Sequence, residues 1–173
     1  MSDIRKIDRT EWADFLNTTP KDSTPTWAII GVGITDMSTE YNANVSEEKW
    51  IIHKNATKSI DSYSLSSGAE QTAYKGDPVF DFIDDIRYRL KTGSDAQTTL
   101  LEIDKYSVTE ENSNPKYRAR VWNVAIAIES NKGETAQVNY TINYQGDPTF
   151  GTVTFDKGVP TFVPETEPEK EGE

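Results

Sequence analysis

The chain has 173 residues, which suits one domain with a proper core and leaves little room for a second. It contains no cysteine, which excludes a disulfide framework and a thiolate metal site, and its single histidine excludes a cluster of histidine ligands. The net charge of −11 opposes general binding to nucleic-acid phosphates, because such binding needs Lys and Arg side chains.

The first quarter of the chain predicts an arm followed by a strand and a loop. Apolar residues after Thr10 favour a short helix within Ile4–Asn17, inside an N-terminal arm of residues 1–26. Trp27–Thr35 is rich in β-branched residues and contains two glycines, which predicts a strand with a bend. The polar stretch Asp36–Ser46 is long enough to predict a functional loop.

The middle of the chain contains the strongest helix signal. Two strand patterns, Lys49–Lys54 and Thr57–Ser66, come before it. In Pro78–Lys91, apolar residues recur every three or four positions, and acidic residues precede basic ones as the helix dipole prefers. Asp77 is a suitable N-cap, and Pro78 suits the first helical position. We therefore expect one amphipathic helix packed on a sheet.

Period-two alternation dominates the second half of the chain. It predicts strands over Gln97–Thr109, Tyr117–Ser130, Thr135–Gln145 and Gly151–Phe155. The expected fold is mainly β (α+β), an antiparallel β-sandwich or barrel with one flanking α-helix, over residues 27–160. Residues 161–173 are acidic and rich in proline at their end, which predicts a disordered tail.

A short motif occurs twice, 70 residues apart. Tyr74–Phe80 reads YKGDPVF and Tyr144–Phe150 reads YQGDPTF, each after a strand-like stretch. Gly allows a turn, Asp caps it and Pro stops a strand ladder, so the motif predicts two corresponding strand exits. A common turn sequence that arose twice by chance is the alternative.

One face of the strand Thr135–Gln145 is polar and carries no charge. An ordinary solvent-exposed face mixes Lys and Glu. A smooth amide-rich face is typical of a surface that lines a water-filled channel, and a chance run of amides on an exposed sheet is the alternative. The predicted lumen residues are Gln137, Asn139, Thr141, Asn143 and Gln145, with Asn123 from the preceding strand.

No residue set predicts an enzyme or a cofactor site. His53 has no identifiable catalytic partner, no serine lies in a G-x-S-x-G turn, and among 29 acidic residues some close pairs are expected by chance. The four Trp and eight Tyr residues fit a carbohydrate-binding β-sandwich module. They also fit interface anchors in an assembling protein, Trp50 among them.

Four stretches resemble the tail tube (major tail) proteins of long-tailed phages of Gram-positive bacteria. They are WAIIGVGITD at Trp27–Asp36, YKGDPVFDFIDDI at Tyr74–Ile86, TTLLEIDKY at Thr98–Tyr106 and NYQGDPTFGTVTF at Asn143–Phe155. The resemblance covers most of Ile4–Phe155. Tube proteins of phage-derived bacteriocins and of injection systems share the fold and stay open as alternatives.

The resemblance implies a structural virion protein. Two sheets and a flanking helix would form each subunit, and hexameric rings would join their inner sheets into one barrel and stack into a tube. DNA would pass through without specific binding, and the other partners would be the tape measure protein and further tail proteins, with no membrane. The chain has neither a secretory signal nor a long apolar run, so we expect synthesis in a host cytoplasm. The residues expected to contact other subunits are Asp36, Tyr41, Asn42, Asn44 and Trp50.

Overall fold

Residues 4–110 and 114–166, the part that the computed structural model describes, form ten strands, one α-helix and two 3-10 helices. The helices are Arg9–Glu11 (3-10), α1 Pro78–Arg89 and Gly93–Ala96 (3-10). The strands are β1 Trp12–Asn17, β2 Trp27–Ile29, β3 Ile34–Glu40, β4 Ala43–Glu48, β5 Thr57–Tyr63, β6 Ser66–Thr72, β7 Gln97–Glu110, β8 Lys116–Asn131, β9 Gln137–Asp156 and β10 Val159–Pro164.

Eight strands form one antiparallel sheet in the order β2-β1-β7-β8-β9-β6-β3, and β10 pairs with the C-terminal half of β9. The sheet curls into a half-barrel with one flanking helix, which confirms the predicted mainly β, barrel-type fold. It is a single curled sheet where the resemblance implied two packed sheets. β4 and β5 form a separate two-stranded hairpin.

Helix α1 forms where the sequence predicts it. The side chain of Asp77 accepts a hydrogen bond from the backbone N–H of Phe80 at 2.9 Å, and Pro78 occupies the first turn. The helix ends two residues before the predicted boundary. Leu90 adopts a left-handed conformation with φ of 51° there, and its N–H still bonds the last turn.

Adjacent residues of the central strands are buried on opposite faces of the sheet. Leu100 packs beneath α1, whereas Leu101 belongs to a second cluster on the other face. The helix-side cluster includes Leu16, Val79, Ile83, Ile86, Val124, Ile126, Val138, Tyr140 and Ile142. The opposite cluster is built from Ala13, Phe15, Leu101, Ile103, Ala119 and Val153. The curled sheet therefore buries apolar residues on both faces.

The N-terminal helix prediction is wrong, because helical structure there is limited to the 3-10 helix Arg9–Glu11 and the apolar residues after Thr10 lie in strand β1. Phe15 pairs with Ile29 of β2 on one side and with Leu101 of β7 on the other. Phe15 and Leu16 are both buried, one on each face, so the strand lacks the simple alternation that would have revealed it. Residues 12–17 of the predicted arm are thus part of the sheet.

The loop and strand predictions between β2 and β5 are also wrong. Asp36–Ser46 forms parts of β3 and β4, and Lys49–Lys54 forms the connection between β4 and β5. The hairpin is exposed on nearly all sides, so burial imposes no alternating pattern on its sequence. At the C-terminus, β10 extends to Pro164 within the predicted tail, and residues 167–173 lie outside the described residues.

Only the first copy of the repeated motif ends a strand. There Gly76 has a φ of 92° and Asp77 caps α1. At the second copy β9 continues, and Gly146–Pro148 lie opposite the single residue Trp122 of β8. The extra residues make a bulge, with Gly146 at a φ of 63°, because β8 pairs with β9 on both sides of it.

Candidate assembly surface

The six predicted lumen residues lie together on the sheet face opposite α1. Asn123 pairs with Gln145, and the register places the side chains of Asn139, Thr141 and Asn143 on that same face. Between them on β9, Val138, Tyr140 and Ile142 point into the helix-side core. The side chains on the outer face are partly or fully exposed. We call this surface of β8, β9, β6 and β3 the amide face.

The amide face carries acidic residues and no cations. Cross-strand pairing adds small and polar residues to it, together with Glu40 of β3, Glu70 of β6 and Glu129 of β8. Glu129 accepts a hydrogen bond from the hydroxyl of Thr141. No Lys or Arg occupies the face in the paired segments Ser38–Glu40, Ser66–Thr72, Asn123–Glu129 and Gln137–Gln145. Alternation within β9 alone could not show the acids, because they lie on other strands.

Both sides of this four-stranded region end in unpaired strand edges within the described residues. β3 pairs only with β6. On the other side, pairing of β7 with β8 begins at Gln97 and Ala125, so residues 126–131 of β8 have no strand partner away from β9. Exposed edges of this kind present free N–H and C=O groups to a further strand.

The predicted inter-subunit residues do not form a single cluster. Asp36 lies exposed on the edge strand β3, Asn44 on β4 and Trp50 in the loop at the far end of the hairpin. Tyr41 and Asn42 hold the hairpin base: Tyr41 accepts a hydrogen bond from Arg120 Nη2 at 3.1 Å, and Asn42 donates to the carbonyl of Ser64 at 3.1 Å.

Glu102 organises a polar network beneath the hairpin base, which sequence patterns did not reveal. Its carboxylate accepts hydrogen bonds from Trp122 Nε1 at 2.9 Å, from the Tyr144 hydroxyl at 3.0 Å and from Arg120. Asp14 lies directly across from Glu102 on β1. Burial, reinforced by the negative charge of Glu102, raises the pKa of Asp14 to about 6. The hydrogen bonds of Glu102 thus join β7, β8 and β9, and Arg120 links them to the hairpin base.

Comparisons with known proteins bear on the fold. No protein-family model and no curated protein matches the chain. Among solved structures, the chain is similar to one in the tail of an empty GTA (gene transfer agent) particle with C6 symmetry. The TM-score is 0.51 at 9% identity, over 84% of this chain and 98% of that one. The chain has a tail-tube-like fold.

Two further solved structures are similar at lower TM-scores. One is the PVC sheath-tube complex of an extracellular contractile injection system in the extended state, with a TM-score of 0.44 at 10% identity over 84% of this chain and 90% of that one. The other is the anti-feeding prophage (AFP) baseplate, with a TM-score of 0.45 at 14% identity over 87% of this chain and 97% of that one. The tail-tube-like fold is therefore assigned from the similarity to the GTA structure alone.

The tail-tube-like fold shows few features of a ligand site in its described residues. No group of three or more His, Cys, Asp or Glu there is arranged to hold a metal ion. A cleft of about 870 Å³ beside α1 contains charged side chains, among them the ion pairs Lys21–Asp95 and Lys91–Asp85. His53 stacks on the Trp50 ring at 5.8 Å between centroids. Among residues 4–110 and 114–166, no helix is long and apolar enough to cross a membrane.

Proposed function

We propose that this chain is a structural subunit that assembles into stacked hexameric rings, the tube of a phage tail. The single observation that carries the proposal is the amide face: an open, cation-free surface of four antiparallel strands, bounded by the unpaired edge of β3 and the unpaired residues 126–131 of β8. The tail-tube-like fold is consistent with it. On this proposal the subunit has a structural and not an enzymatic role.

The strand order supports closure of a ring. β8, β9, β6 and β3 alternate in direction, so β3 runs antiparallel to β8. With an even number of strands, the edge of β3 in one copy meets the edge of β8 in the next in antiparallel orientation. Repetition of this head-to-tail contact can close a ring, in which the edges of β3 and β8 are paired.

The chemistry of the amide face supports its assignment to the lumen. Double-stranded DNA carries about one negative charge per 1.7 Å of its axis, and Lys or Arg side chains would hold it by displacing counterions. The amide face has no such cationic side chain to bind phosphates. It consists of amides, hydroxyls and the carboxylates of Glu40, Glu70 and Glu129. DNA would therefore slide through the tube without specific binding.

The remaining partners and the location follow from the same proposal. The subunit would lie in a tail particle after synthesis in the host cytoplasm, and would meet the tape measure protein inside the tube and other tail proteins at its ends. The sequence stretches quoted above resemble those of tail tube proteins from long-tailed phages of Gram-positive bacteria, and we propose that this chain comes from such a phage. Asp36, on the edge of β3, would contact the next subunit in the ring, as would the hairpin with Tyr41, Asn42, Asn44 and Trp50.

Cysteine labelling tests which face lines the tube, because the chain has no cysteine of its own. The Asn139→Cys variant reports on the amide face and the Tyr88→Cys variant on the exposed side of α1. A bulky maleimide should label both variants as free subunits. In assembled tubes it should label only the Tyr88→Cys variant. Labelling of the Asn139→Cys variant at the same rate in tubes and subunits would contradict the lumen assignment.

A further inference from the structure

The two strand edges that would meet in the proposed ring both carry acidic side chains. On β3, Asp36 and Glu40 are exposed. On the unpaired end of β8, Glu129 is exposed. Neither β3 nor residues 126–131 of β8 contains a Lys or Arg. We call the line along which β3 of one copy would lie beside residues 126–131 of β8 in the next copy the seam.

Asp36 shares the amide face with Glu40 and Glu129. The residue that follows it, Met37, packs against the helix-side core and pairs with Ala69 of β6. Because neighbouring side chains of a strand point to opposite faces, Asp36 points away from that core. The three carboxylates of the seam strands therefore lie on one face of the sheet.

Every register that keeps the amide face continuous across the seam brings Glu129 close to a carboxylate of β3. Side chains alternate with a period of two, so Glu129 must lie opposite a β3 residue of the same face, which is Asp36, Ser38 or Glu40. Opposite Asp36 or Glu40, it meets a like charge directly, with about 5 Å between Cβ atoms. Opposite Ser38, it has both carboxylates as diagonal neighbours at about 7–8 Å.

The basic residues that follow the seam strands lie outside them. After β8 the first is Lys132, in the turn to β9, and after β3 the first is Lys49, beyond the end of β4. Glu70, on β6 beside β3, adds a further carboxylate to the same face. Screening of the seam therefore falls mainly to dissolved ions.

We propose that the seam makes ring closure depend on salt: the edges join when dissolved ions screen Glu129 of one copy from the β3 carboxylates of its neighbour. The inference rests on the proposed function, because it requires β3 and β8 of adjacent copies to meet. Like charges on neighbouring strands destabilise their pairing. The Debye length is about 10 Å in 0.1 M salt and about 3 Å in 1 M salt, so the seam carboxylates repel in the first and are largely screened in the second.

Substitutions of Glu129 test the effect of charge on the seam. The critical concentration for assembly of the purified chain is measured by sedimentation in about 0.1 M and about 1 M NaCl, and that of the wild type should fall about tenfold with the added salt. Glu129→Gln can still accept the hydrogen bond from Thr141, and it should assemble at a lower concentration with a smaller salt dependence. Glu129→Lys should reverse the dependence and assemble better in 0.1 M NaCl, because salt then weakens an attraction.

Matched controls separate the seam from the net charge of the chain. Asp81→Asn and Asp81→Lys make the same changes of charge on the exposed side of α1, and they should keep the wild-type salt dependence. Equal behaviour of the Glu129 and Asp81 variants would overturn the inference, as would a wild type with the same critical concentration in both salts. A wild type that assembles in neither salt would instead overturn the proposed function.

Discussion

At the scale of single residues, Asp14 places a carboxylate where the fold disfavours its charge. Its side chain is 19% exposed and lies beside that of Glu102 on the adjacent strand β7. Burial and the charge of Glu102 raise the pKa of Asp14 from 3.8 to about 6. The folded protein therefore binds this proton more tightly than the unfolded chain does. The contribution of Asp14 to stability is unfavourable above pH 6, and this cost falls as the pH drops through 6 towards 4.

Asp14→Asn should remove this cost. At pH 7 we expect the variant to be about 2 kcal/mol more stable than the wild type, and at pH 4.5 the difference should be much smaller. Urea unfolding at the two pH values measures both changes. A wild type and a variant whose stability difference is independent of pH would contradict the burial of a charged Asp14.

Gln71 links the cap of α1 to the sheet core. Its amide donates to Asp77 Oδ2 at 3.1 Å and to the carbonyl of Val32 at 3.0 Å, and its oxygen accepts from the Tyr140 hydroxyl at 3.2 Å. Gln71 is fully buried and Tyr140 nearly so. Each group in this network depends on the others for its hydrogen bonds.

Gln71→Leu should cost about 2–4 kcal/mol, because it leaves the buried Tyr140 hydroxyl without a partner and removes the hydrogen bonds to Asp77 and to the Val32 carbonyl. The double variant Gln71→Leu, Tyr140→Phe removes the orphaned hydroxyl. It should therefore lose less stability than the sum of the two single variants. Additive losses in a double-mutant cycle would show that the two side chains are not coupled.

At the scale of elements, the sequence predicts best where burial imposes a period. α1, β7, β8 and the first half of β9 each bury a regular stripe, and their predicted positions agree with the structure. β1 is buried on both faces, and the β4–β5 hairpin is buried on neither. Neither segment therefore shows the alternation of apolar and polar residues from which a strand is predicted. The amide face was found from alternation in β9, but Glu102 and its partners come together only through pairing of distant strands.

The connection between β2 and β3 depends on one of two neighbouring glycines. Gly33 has a φ of 76°, and a Cβ there would lie 2.4 Å from the Thr72 carbonyl oxygen, whereas a Cβ on Gly31 would meet nothing within 4 Å. Gly33→Ala should therefore cost about 2 kcal/mol or more, and Gly31→Ala less than about 0.5 kcal/mol. Thermal unfolding of both variants checks this, and equal losses would contradict the strained backbone at Gly33.

At the scale of the whole molecule, the structure shows where three of the acidic residues of this acidic chain lie. Glu40, Glu70 and Glu129 lie on the amide face, which in the proposed tube surrounds the DNA. Net charge alone could not indicate this, since it contains no information about which face bears the charge. On the proposed function, this distribution of charge across four paired strands would line the conduit for DNA.

Cations on the amide face should impede DNA without disturbing the fold. Asn139→Lys combined with Thr141→Lys adds two positive charges at partly exposed positions. We expect nearly unchanged unfolding, because neither side chain is in a core, but slower DNA ejection from particles, because Lys side chains bind phosphates. Raising the salt concentration should restore part of the rate. Normal ejection by assembled variant particles would contradict passage of DNA along this face.

The most direct test of the account is cryo-electron microscopy of the purified chain at high concentration. We predict six-fold rings or tubes of uniform diameter, with β3 of each copy beside β8 of the next and the amide face towards the lumen. A chain that remains monomeric under these conditions would contradict the account, as would rings in which α1 lines the lumen and the amide face lies outside.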